Sequence, residues 1–436
     1  MPPPLLDLLY IFAGLLYLPF LCYQMLVLKK NRRGWAERFG AGPTPTGDGP
    51  RIWIHAVSLG EVNATKSLVE EIKRRRPDCQ VIISATTDTG FAAAKRHYPD
   101  LVVFRYPLDF SWVVRRVLNR IRPAAIILME LEVWPNLIKM ASDRRVAVCI
   151  ANGRVTEEKS MRRFRKPVIR GLAQSMFSRI AWTAAQDKVY ADRFVELGVA
   201  AGNVHVVGNL KYDTADLSDH IPGSQELAAA MGIDPGKPLV VAGSTGPGEE
   251  EMALAAYLKL REKRPDLQLA IIPRKPERFD EVAGLIASRG CECRRRSALP
   301  DGHKPAPPSE KPAVFLGDTM GELRKFYDLA AVVFVGRTLV PLGGSDPIEV
   351  AALAKPMCFG PFMENFADAE RQLRAADAAV SIPRTADLPA ALDRLFENIA
   401  EAAEMGQRAR GVVQTNKGAT AKTIDLLLGC LPGTAS

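Results

Sequence analysis

The chain has 436 residues, of which 47% are hydrophobic and 25% are charged, and its formal net charge is +9. This length exceeds what one hydrophobic core normally supports, so two domains are expected, and the composition is that of a globular protein. The positive charge raises the question of nucleic-acid binding. No RNP-type aromatic signature, zinc-ligand spacing or helix-turn-helix signal accompanies it, and we therefore expect no nucleic-acid partner.

The N-terminal segment is an apolar run that ends at a block of positive charge. From Leu5 to Leu28 the only formal charge is Asp7, and the run is long enough to cross a hydrocarbon core of roughly 30 Å as a helix. The basic residues that follow at once are Lys29, Lys30, Arg32 and Arg33. Residues 1–40 are thus interpreted as a single membrane-spanning anchor with a basic linker, with a short N-terminus outside and everything behind the anchor in the cytoplasm. The alternative is a hairpin or a helix lying on the bilayer, because Pro19 can kink the segment and Asp7 is costly at depth.

Two segments account for the net positive charge. Residues 29–38 carry five basic and one acidic residue, and residues 154–170 carry seven basic and two acidic residues. Near a bilayer, each basic residue would contribute about 1 kcal/mol of attraction to anionic head groups. The segments therefore predict contact with the cytoplasmic membrane surface, although the second would equally suit the solvated face of a helix. The seven cysteines are scattered without a C-x-x-C pair and the five histidines are dispersed, so we expect reduced thiols and no metal site.

Behind the anchor, apolar β-rich runs alternate with amphipathic helical stretches. The predicted strands are residues 51–57, 80–85, 101–104, 124–129, 146–151, 180–183 and 204–207, followed by 238–242, 267–272, 313–316, 331–335 and 356–359. Strands that are apolar on both faces and separated by helices indicate parallel sheets covered on both sides. We therefore expect an α/β protein with two doubly wound, Rossmann-like domains, at residues 41–214 and 215–430, that face each other across a cleft.

In open parallel sheets, ligands bind outside the carboxyl ends of the strands. The first predicted strand leads into Ser58-Leu59-Gly60-Glu61, and the fourth leads into Glu130-Leu131-Glu132. Each of these carboxylates could simply stabilise the start of a helix. The position of Glu61 on the first strand-to-helix turn, with a glycine ahead of it that lets substrate approach the backbone, favours a functional role.

Four loops of the second half also follow strands. They comprise residues 242–251, 273–279, 316–323 and 336–349. The first is glycine-rich, but it is neither a Walker A loop nor a dinucleotide fingerprint. In the others, Arg274 could clamp a phosphate, backbone amides near Gly317 could bind an anion, and Glu349 could hold a ribose diol. Together the loops predict a nucleotide site.

Eight motifs occur in a recognisable order. They are Ser58-Leu59-Gly60-Glu61, Glu130-Leu131-Glu132-Val133-Trp134-Pro135-Asn136, Asn152-Gly153-Arg154, Gly208-Asn209-Leu210-Lys211-Tyr212-Asp213, Gly243-Ser244-Thr245, Pro273-Arg274, Gly317-Asp318-Thr319-Met320-Gly321-Glu322 and Gly343-Gly344. In order, spacing and identity this set resembles the 3-deoxy-D-manno-octulosonic acid (Kdo) transferases of lipopolysaccharide synthesis, from the anchor to about residue 370. The resemblance implies a GT-B fold, CMP-Kdo as the donor, and a lipid A precursor (lipid IVA) as the acceptor. It also implies an inverting, metal-independent reaction without cofactor at the inner face of the cytoplasmic membrane.

The resemblance also assigns roles to residues. In that family the acid matching Glu61 is the general base, and the groups matching Arg274, the loop 317–322 and Glu349 surround the CMP. The residues predicted to bind the nucleotide and donor are Ser244, Arg274, Lys275, Gly317, Asp318, Thr319, Met320, Gly321, Gly343, Gly344 and Glu349. The residues predicted on the acceptor side are Glu130, Glu132, Asn152, Arg154, Arg162 and Arg163.

The sequence departs from the family pattern in its donor half. Lys275 stands where the family has histidine, Ser345 and Asp346 replace a His-Asn pair, and Val350 replaces a proline. These changes leave room for another CMP-activated acidic sugar as the donor. Two other functions remain open, namely a nucleotide-sugar 2-epimerase, which would need neither anchor nor basic acceptor face, and a membrane-tethered nucleotide-binding protein without catalysis, against which the intact Glu61 and Arg274 argue.

Overall fold

The computed structural model describes residues 3–27, 34–303 and 311–431. The chain divides into two compact units, of which unit 1 comprises Met1–Thr214 and Asn416–Ser436, and unit 2 comprises Ala215–Thr415. Each unit is built around a seven-stranded parallel sheet, which confirms the predicted pair of α/β domains. The basic residues predicted to follow the anchor, from Lys29 to Arg33, lie outside the described residues.

Unit 1 contains all seven strands predicted for the first half. They are β1 (Arg51–Ala56), β2 (Gln80–Ala85), β3 (Val102–Arg105), β4 (Ala125–Met129), β5 (Ala147–Gly153), β6 (Trp182–Ala185) and β7 (Val204–Val206). Their order in the sheet is β3-β2-β1-β4-β5-β6-β7. The strand order reverses between β1 and β4, and such a reversal opens a crevice at the carboxyl ends of the two strands.

Helices cover both faces of this sheet. They are α1 (Pro3–Leu26), α2 (Trp35–Arg38), α3 (Leu59–Arg75), α4 (Asp88–His97), α5 (Ser111–Ile121), α6 (Pro135–Ser142), α7 (Arg162–Phe164), α8 (Pro167–Phe177), α9 (Lys188–Leu197) and α10 (Leu210–Thr214). One apolar core contains Leu68 of α3 with Ile54 of β1, and the core on the opposite face contains Val117 of α5 with Trp53 of β1. The alternation of Trp53 and Ile54 between the two cores is what a strand buried on both faces requires.

Unit 2 repeats the architecture with the strand order β10-β11-β9-β8-β12-β13-β14. The strands are β8 (Leu239–Thr245), β9 (Gln268–Pro273), β10 (Glu292–Arg295), β11 (Ala313–Leu316), β12 (Val332–Val335), β13 (Met357–Phe359) and β14 (Val380–Ser381). The helices are α11 (Ser224–Met231), α12 (Glu249–Arg261), α13 (Phe279–Ser288), α14 (Leu323–Leu329), α15 (Ile348–Ala352), α16 (Ala367–Ala375), α17 (Leu388–Glu397) and α18 (Ile399–Thr415). Here the order reverses between β8 and β12.

The last described helix, α19 (Ala419–Leu428), belongs to unit 1, whereas the sequence assigned residues up to 430 to the second domain. Its apolar side chains Ala419, Ile424 and Leu427 join the core around β1 and α3. Asp213 accepts hydrogen bonds from the backbone amides of Gly418 and Thr420 at 2.6 and 2.5 Å and so stabilises the start of the helix. The helix thus belongs to unit 1 rather than to the second domain because its apolar side chains are buried in the core of unit 1.

The apolar N-terminal run forms α1, a helix of 24 residues with a mean hydropathy of 2.0 in its most apolar window. Among the described residues it is the one helix whose length and composition would allow it to cross a membrane. Its exposed surface is almost entirely apolar, and Leu6 is its one buried residue.

Candidate active site

Glu61 lies at the crevice of unit 1, in the first turn of α3 directly behind β1. Its carboxylate accepts hydrogen bonds from the backbone amide of Val57 at 2.8 Å and from the hydroxyl of Ser58 at 2.9 Å. Ser58 in turn accepts from the amide of Glu61, so the two residues stabilise the helix start reciprocally. Glu61 therefore does stabilise the start of α3, as a structural carboxylate would. Its remaining lone pairs are still able to accept a proton.

The environment of Glu61 suits proton transfer near neutrality. Burial raises the pKa of Glu61 to about 7, and the charge of Glu130 adds to the effect, while the bonds from Val57 and Ser58 oppose it. A base is most effective when its pKa lies close to the working pH. Burial also raises the pKa of Asp109, which caps α6, to about 7. What separates Glu61 from a simple cap is therefore its position in the crevice beside a second carboxylate, Glu130.

The acids that follow β4 face the same crevice. Glu130 has a φ of 56°, a left-handed conformation that is uncommon for a residue with a side chain and that often occurs at functional sites. Burial raises the pKa of Glu132, Glu130 adds to the shift, and the positive charge of Arg163 opposes it. Electrostatic interaction thus links Glu61, Glu130, Glu132 and Arg163 into one group within unit 1.

The other residues predicted on the acceptor side differ in exposure. Asn152 is fully buried in β5 with a φ of 54°, and its Oδ1 accepts from the backbone amide of Leu210 at 3.1 Å. This bond joins β5 to α10. Arg154 is half-buried directly after β5, and Arg162 is exposed at the start of α7. Arg163, also exposed, places its guanidinium 4.9 Å from the ring centre of Phe164.

In unit 2, the glycine-rich loop lies at the reversal between β8 and β12. Ser244 is buried with a φ of 54°, and its carbonyl accepts from the hydroxyl of Ser345 at 3.1 Å. This bond attaches the loop around Gly343 and Gly344, both of which adopt positive φ, to the end of β8. One residue that breaks the family pattern, Ser345, is thus part of the loop's own support.

The glutamates that follow the glycine-rich loop are structural. Glu249 is fully buried, and its carboxylate accepts from the backbone amides of Gly246, Arg337, Thr338 and Leu339. Glu250 is 1% exposed and pairs with Arg278 and the hydroxyl of Thr245. These acids connect the loops after β8, β9 and β12 to one another. Because both carboxylates are bonded to groups of the protein, they can lie beside a predicted phosphate site.

Two arginines approach each other at this reversal. Arg274 is exposed directly after β9, and its backbone amide donates to the carbonyl of Thr245. Arg337 lies after β12, with its side chain next to Gly246. Burial lowers the pKa of Arg337, and the positive charge of Arg274 lowers it further. Two guanidinium groups within electrostatic reach of each other create a local positive potential that favours an anion such as a phosphate. Lys275 is exposed next to Arg274.

The loop after β11 is fixed by its own acids. The carboxylate of Asp318 accepts from Ser297 and Arg295, and these bonds hold its pKa below the usual value although burial opposes them. Arg296 lowers the pKa of Glu322 to about 2, and Thr319 donates to the same carboxylate. Gly317 is packed against Ile272 and Phe326, Gly321 has a φ of 91°, and Met320 is 65% exposed. Asp318 and Glu322 therefore bind the neighbouring arginines Arg295 and Arg296, and these ion pairs fix the conformation of the loop.

The last predicted donor residue, Glu349, lies in the first turn of α15. Burial raises the pKa of Tyr327; the charges of Glu349 and Asp346 raise it further, and Arg274 opposes them. These three charged residues thus lie within electrostatic reach of the Tyr327 hydroxyl. Asp346 also accepts a hydrogen bond from the backbone amide of Ile348 at 2.9 Å.

The residue that sequence reasoning left out of the donor set is Arg337. It follows Gly336 at the carboxyl end of β12, the strand across the reversal from β8. The sequence does place Arg337 in a loop behind a predicted strand. The strand order adds that this strand lies across the reversal from β8.

Residues 33–214 match the family model of 3-deoxy-D-manno-octulosonic-acid transferase (kdotransferase). The chain is 33% identical over 417 residues to the 3-deoxy-D-manno-octulosonic acid transferase of Haemophilus influenzae, covering 93% of this chain and 94% of the relative. It is 34% identical over 393 residues to the enzyme of the same name from Bordetella pertussis, covering 86% of both chains.

More distant solved structures share the fold. A glycosyltransferase from Rickettsia africae is 12% identical with a TM-score of 0.58, covering 88% of this chain and 99% of that one. The UDP-GlcNAc 2-epimerase from Neisseria meningitidis is 13% identical with a TM-score of 0.57, covering 87% and 100%. These likenesses confirm the two-domain GT-B type of fold. Given the identity to the Haemophilus and Bordetella enzymes over nearly their full lengths, the chain belongs to the Kdo transferase family of glycosyltransferases.

Proposed function

We propose that this protein transfers Kdo from CMP-Kdo to lipid IVA at the inner face of the cell inner membrane, with inversion at the anomeric carbon. The observation that carries the proposal is the identity to curated Kdo transferases over almost the whole chain. It is supported by Glu61, whose pKa of about 7 matches the base that such a reaction needs.

In this proposal, Glu61 takes the proton from the acceptor hydroxyl while the hydroxyl oxygen forms a bond to the anomeric carbon of Kdo. The bond from that carbon to the phosphate oxygen breaks on the opposite face, and CMP leaves with the bonding electrons. Arg274 and Arg337 stabilise the charge that develops on the phosphate. No cofactor takes part, and the positive groups replace a metal ion.

The acceptor is assigned to unit 1. The phosphates of lipid IVA are bound by Arg162 and Arg163, with Arg154 nearby, and the hydroxyl is presented to Glu61 beside Glu130 and Glu132. The donor is assigned to unit 2, where Glu349 holds the ribose, and the loops around Ser244, Gly317–Gly321 and Gly343–Gly344 contact the nucleotide.

The test is to incubate the purified full chain with CMP-Kdo and lipid IVA, and to weigh the lipid product by mass spectrometry. The expected product carries added Kdo, and NMR of its anomeric centre is expected to show inversion. The Glu61→Gln variant should still bind CMP but form product at least about a hundredfold more slowly. An unchanged lipid together with hydrolysed CMP-Kdo, or transfer from another CMP-activated sugar in preference, would contradict the proposal.

A nucleotide-sugar 2-epimerase shares the fold but fits the chain less well, since the epimerase relatives are similar in fold alone. Incubation with UDP-GlcNAc distinguishes the two, because an epimerase would convert it without any lipid.

A further inference from the structure

The first turns of α1 are bound to unit 1. The carboxylate of Asp7 accepts hydrogen bonds from the backbone amide and the hydroxyl of Ser111, at 2.8 and 2.5 Å, and from Nδ2 of Asn136 at 3.0 Å. Tyr10 donates its hydroxyl proton to Asp109 at 2.9 Å. The only charged residue of α1 therefore stabilises the start of α5 and stands outside the hydrocarbon.

The chain that follows α1 returns to the same surface. The ring of Phe39, just behind α2, stacks on Trp112 with 5.9 Å between ring centres, and Trp112 is the neighbour of Ser111. Six residues separate Val27 from Gly34, whereas a second membrane crossing would need about 20. As long as Asp7 keeps its bonds to unit 1, α1 cannot emerge on the far side of a bilayer.

The rest of α1 is nevertheless suited to lipid. Residues 11–20 are exposed throughout, and only 6% of the most apolar window is buried in the protein. A helix that rests on head groups has a strongly polar face, and this helix has none between Ile11 and Phe20. Its apolar surface is therefore best satisfied by immersion in the acyl chains of one leaflet.

A basic groove of about 690 Å³ adjoins this end of unit 1. Trp112 and five arginines, Arg51, Arg115, Arg116, Arg120 and Arg122, line it, and within the described ranges no carboxylate does. We call it the arginine groove. Trp112 is 50% exposed, and its ring contacts Phe110, which in turn contacts Tyr10 of α1. The groove and the anchor thus form one continuous surface.

The arginines of the groove divide into two groups. Three are held by backbone carbonyl oxygens: Arg51 donates to Ile121 at 2.9 Å, Arg120 to Gly40 at 3.1 Å and Arg122 to Asn119 at 3.3 Å. Arg115 and Arg116 are exposed, and in the described part of the chain neither makes a hydrogen bond or an ion pair. The groove therefore concentrates positive charge, with some of its guanidinium groups fixed in place and others available for a ligand. Such a surface favours an anionic ligand.

From these observations we infer that α1 is a monotopic anchor, immersed in the leaflet that faces unit 1 with both ends on that side, and that the arginine groove binds the phosphates of anionic phospholipids in the same leaflet. The inference rests on the membrane attachment within the proposed function and is independent of the sugar chemistry. The source of the phosphate is the bilayer, because Trp112 and α1 bring apolar surface to the edge of the groove.

The topology is tested with the full chain carrying a protease-cleavable tag at its N-terminus. The tag should be removed by protease in inverted membrane vesicles and protected in intact spheroplasts. The reverse pattern would show a crossing helix and overturn the monotopic anchor. Because this assay needs no substrate, its result is independent of whether the protein transfers Kdo.

Two variants connect the topology to the Asp7 contacts. Asp7→Leu removes the charge and the bonds to Ser111 and Asn136, so a fraction of the tag should become accessible in spheroplasts. Gly14→Leu adds comparable apolar surface at a position with open space around it, and the tag should remain protected. Equal accessibility in both variants would mean that hydrophobicity alone decides the topology, contrary to the inference.

The groove is tested by competition between two kinds of vesicle, phosphatidylethanolamine with phosphatidylglycerol and phosphatidylethanolamine with phosphatidylcholine. The contribution of α1 is the same for both and cancels in the distribution ratio. The wild type should prefer the anionic vesicles. The double variant Arg115→Gln/Arg116→Gln should lower the ratio about thirtyfold, as expected for two basic residues at about 1 kcal/mol each.

The matched control is Lys95→Gln/Arg96→Gln, an exposed basic pair on α4, which packs on the other face of the same sheet. It should leave the ratio nearly unchanged. An equal loss in both double variants would show that the preference depends on the overall charge of the protein and not on the arginine groove. If the wild type binds inorganic phosphate but distributes equally between the two kinds of vesicle, the groove is a free-phosphate site and the lipid assignment is wrong. A preference for the anionic vesicles supports the lipid assignment.

Discussion

Glu61 and Glu130 follow two neighbouring strands, β1 and β4, at the point where the strand order of unit 1 reverses. Apart from burial, the charge of Glu130 is the largest influence that raises the pKa of Glu61. A carboxylate that is both buried and next to another carboxylate keeps its proton until the solution approaches neutrality. This relationship leads to two predictions about pH.

The first prediction concerns the acidic limb of the pH–rate profile. Because Glu61 must be ionised to act as a base, kcat/KM should rise with pH through about 7. In Glu130→Gln the neighbouring negative charge is gone, so the midpoint should move to lower pH. Steady-state rates across this range provide the measurement, with Glu70→Gln, an exposed residue further along α3, as control. A limb that stays in place in Glu130→Gln would show that the two carboxylates are not coupled.

The second prediction concerns stability. The folded-state pKa of Glu61 lies above its ordinary value of 4.5, so between pH 4.5 and about 7 the folded protein holds a proton that the unfolded chain has released. Stability contributed by this site therefore falls as pH rises through that window and is constant above it. The Tm of Glu61→Gln minus that of the wild type should increase over the same window, measured by scanning calorimetry. A difference independent of pH would place the pKa of Glu61 near 4.5.

How much of this fold follows from sequence depends on the element. The sequence predicts all seven strands of unit 1, because each is apolar and flanked by helical patterns. It misses β10, whose sequence Glu-Cys-Arg-Arg is charged and lies at the sheet edge, and β14, which has two residues. Edge strands carry little of the apolar signal on which strand prediction depends.

The candidate site divides in the same way. Glu61 and Arg274 can be identified from motifs, since their position behind strands is visible in one dimension. The roles of Asp213, Glu249 and Asp7 cannot, because each carboxylate binds backbone or side-chain groups that are remote in sequence. Such contacts depend on the packed structure and have no local pattern.

The third prediction tests the structural role of Glu249. Its buried carboxylate accepts four backbone hydrogen bonds, and Gln would turn an amide donor toward some of those donors. Glu249→Gln should lower the free energy of unfolding by about 2–3 kcal/mol, the usual cost of unsatisfied groups around a buried charge. Glu251→Gln, in the same turn but exposed, should have little effect. Denaturant unfolding followed by circular dichroism measures both, and equal midpoints would contradict the role assigned to Glu249.

The fourth prediction concerns the paired guanidinium groups of unit 2. If Arg274 and Arg337 bind the phosphate of CMP, replacing either with Ala should weaken CMP binding about 10- to 100-fold, the range for one charge-assisted hydrogen bond or two. Calorimetric titration with CMP and with cytidine separates the phosphate contribution, because cytidine binding should barely change. Arg384→Ala, an exposed arginine elsewhere in unit 2, serves as the control. Equal losses for CMP and cytidine would remove the arginines from the phosphate site.

The last prediction addresses Asp346, where the family pattern has a neutral amide. Asp346 and Arg274 both lie within electrostatic reach of Tyr327, so the carboxylate stands close to the proposed path of an anionic donor. Asp346→Asn can retain the bond from the Ile348 amide, which uses Oδ1, while removing the negative charge. The variant should therefore bind CMP-Kdo more tightly than the wild type, because repulsion between like charges is lost.

A cation that offsets Asp346 in the wild type should be coupled to it. Lys275, exposed beside Arg274, is the candidate. Lys275→Ala should weaken donor binding more in the wild type than in Asp346→Asn, since the variant loses a positive charge that offsets the carboxylate only where the carboxylate is present. A double-mutant cycle on the dissociation constant of CMP-Kdo measures this coupling, and changes that add within about 0.3 kcal/mol would show that the two residues do not interact. In that case the altered loop would be better explained by a different donor sugar, and a panel of CMP-activated acidic sugars would identify it.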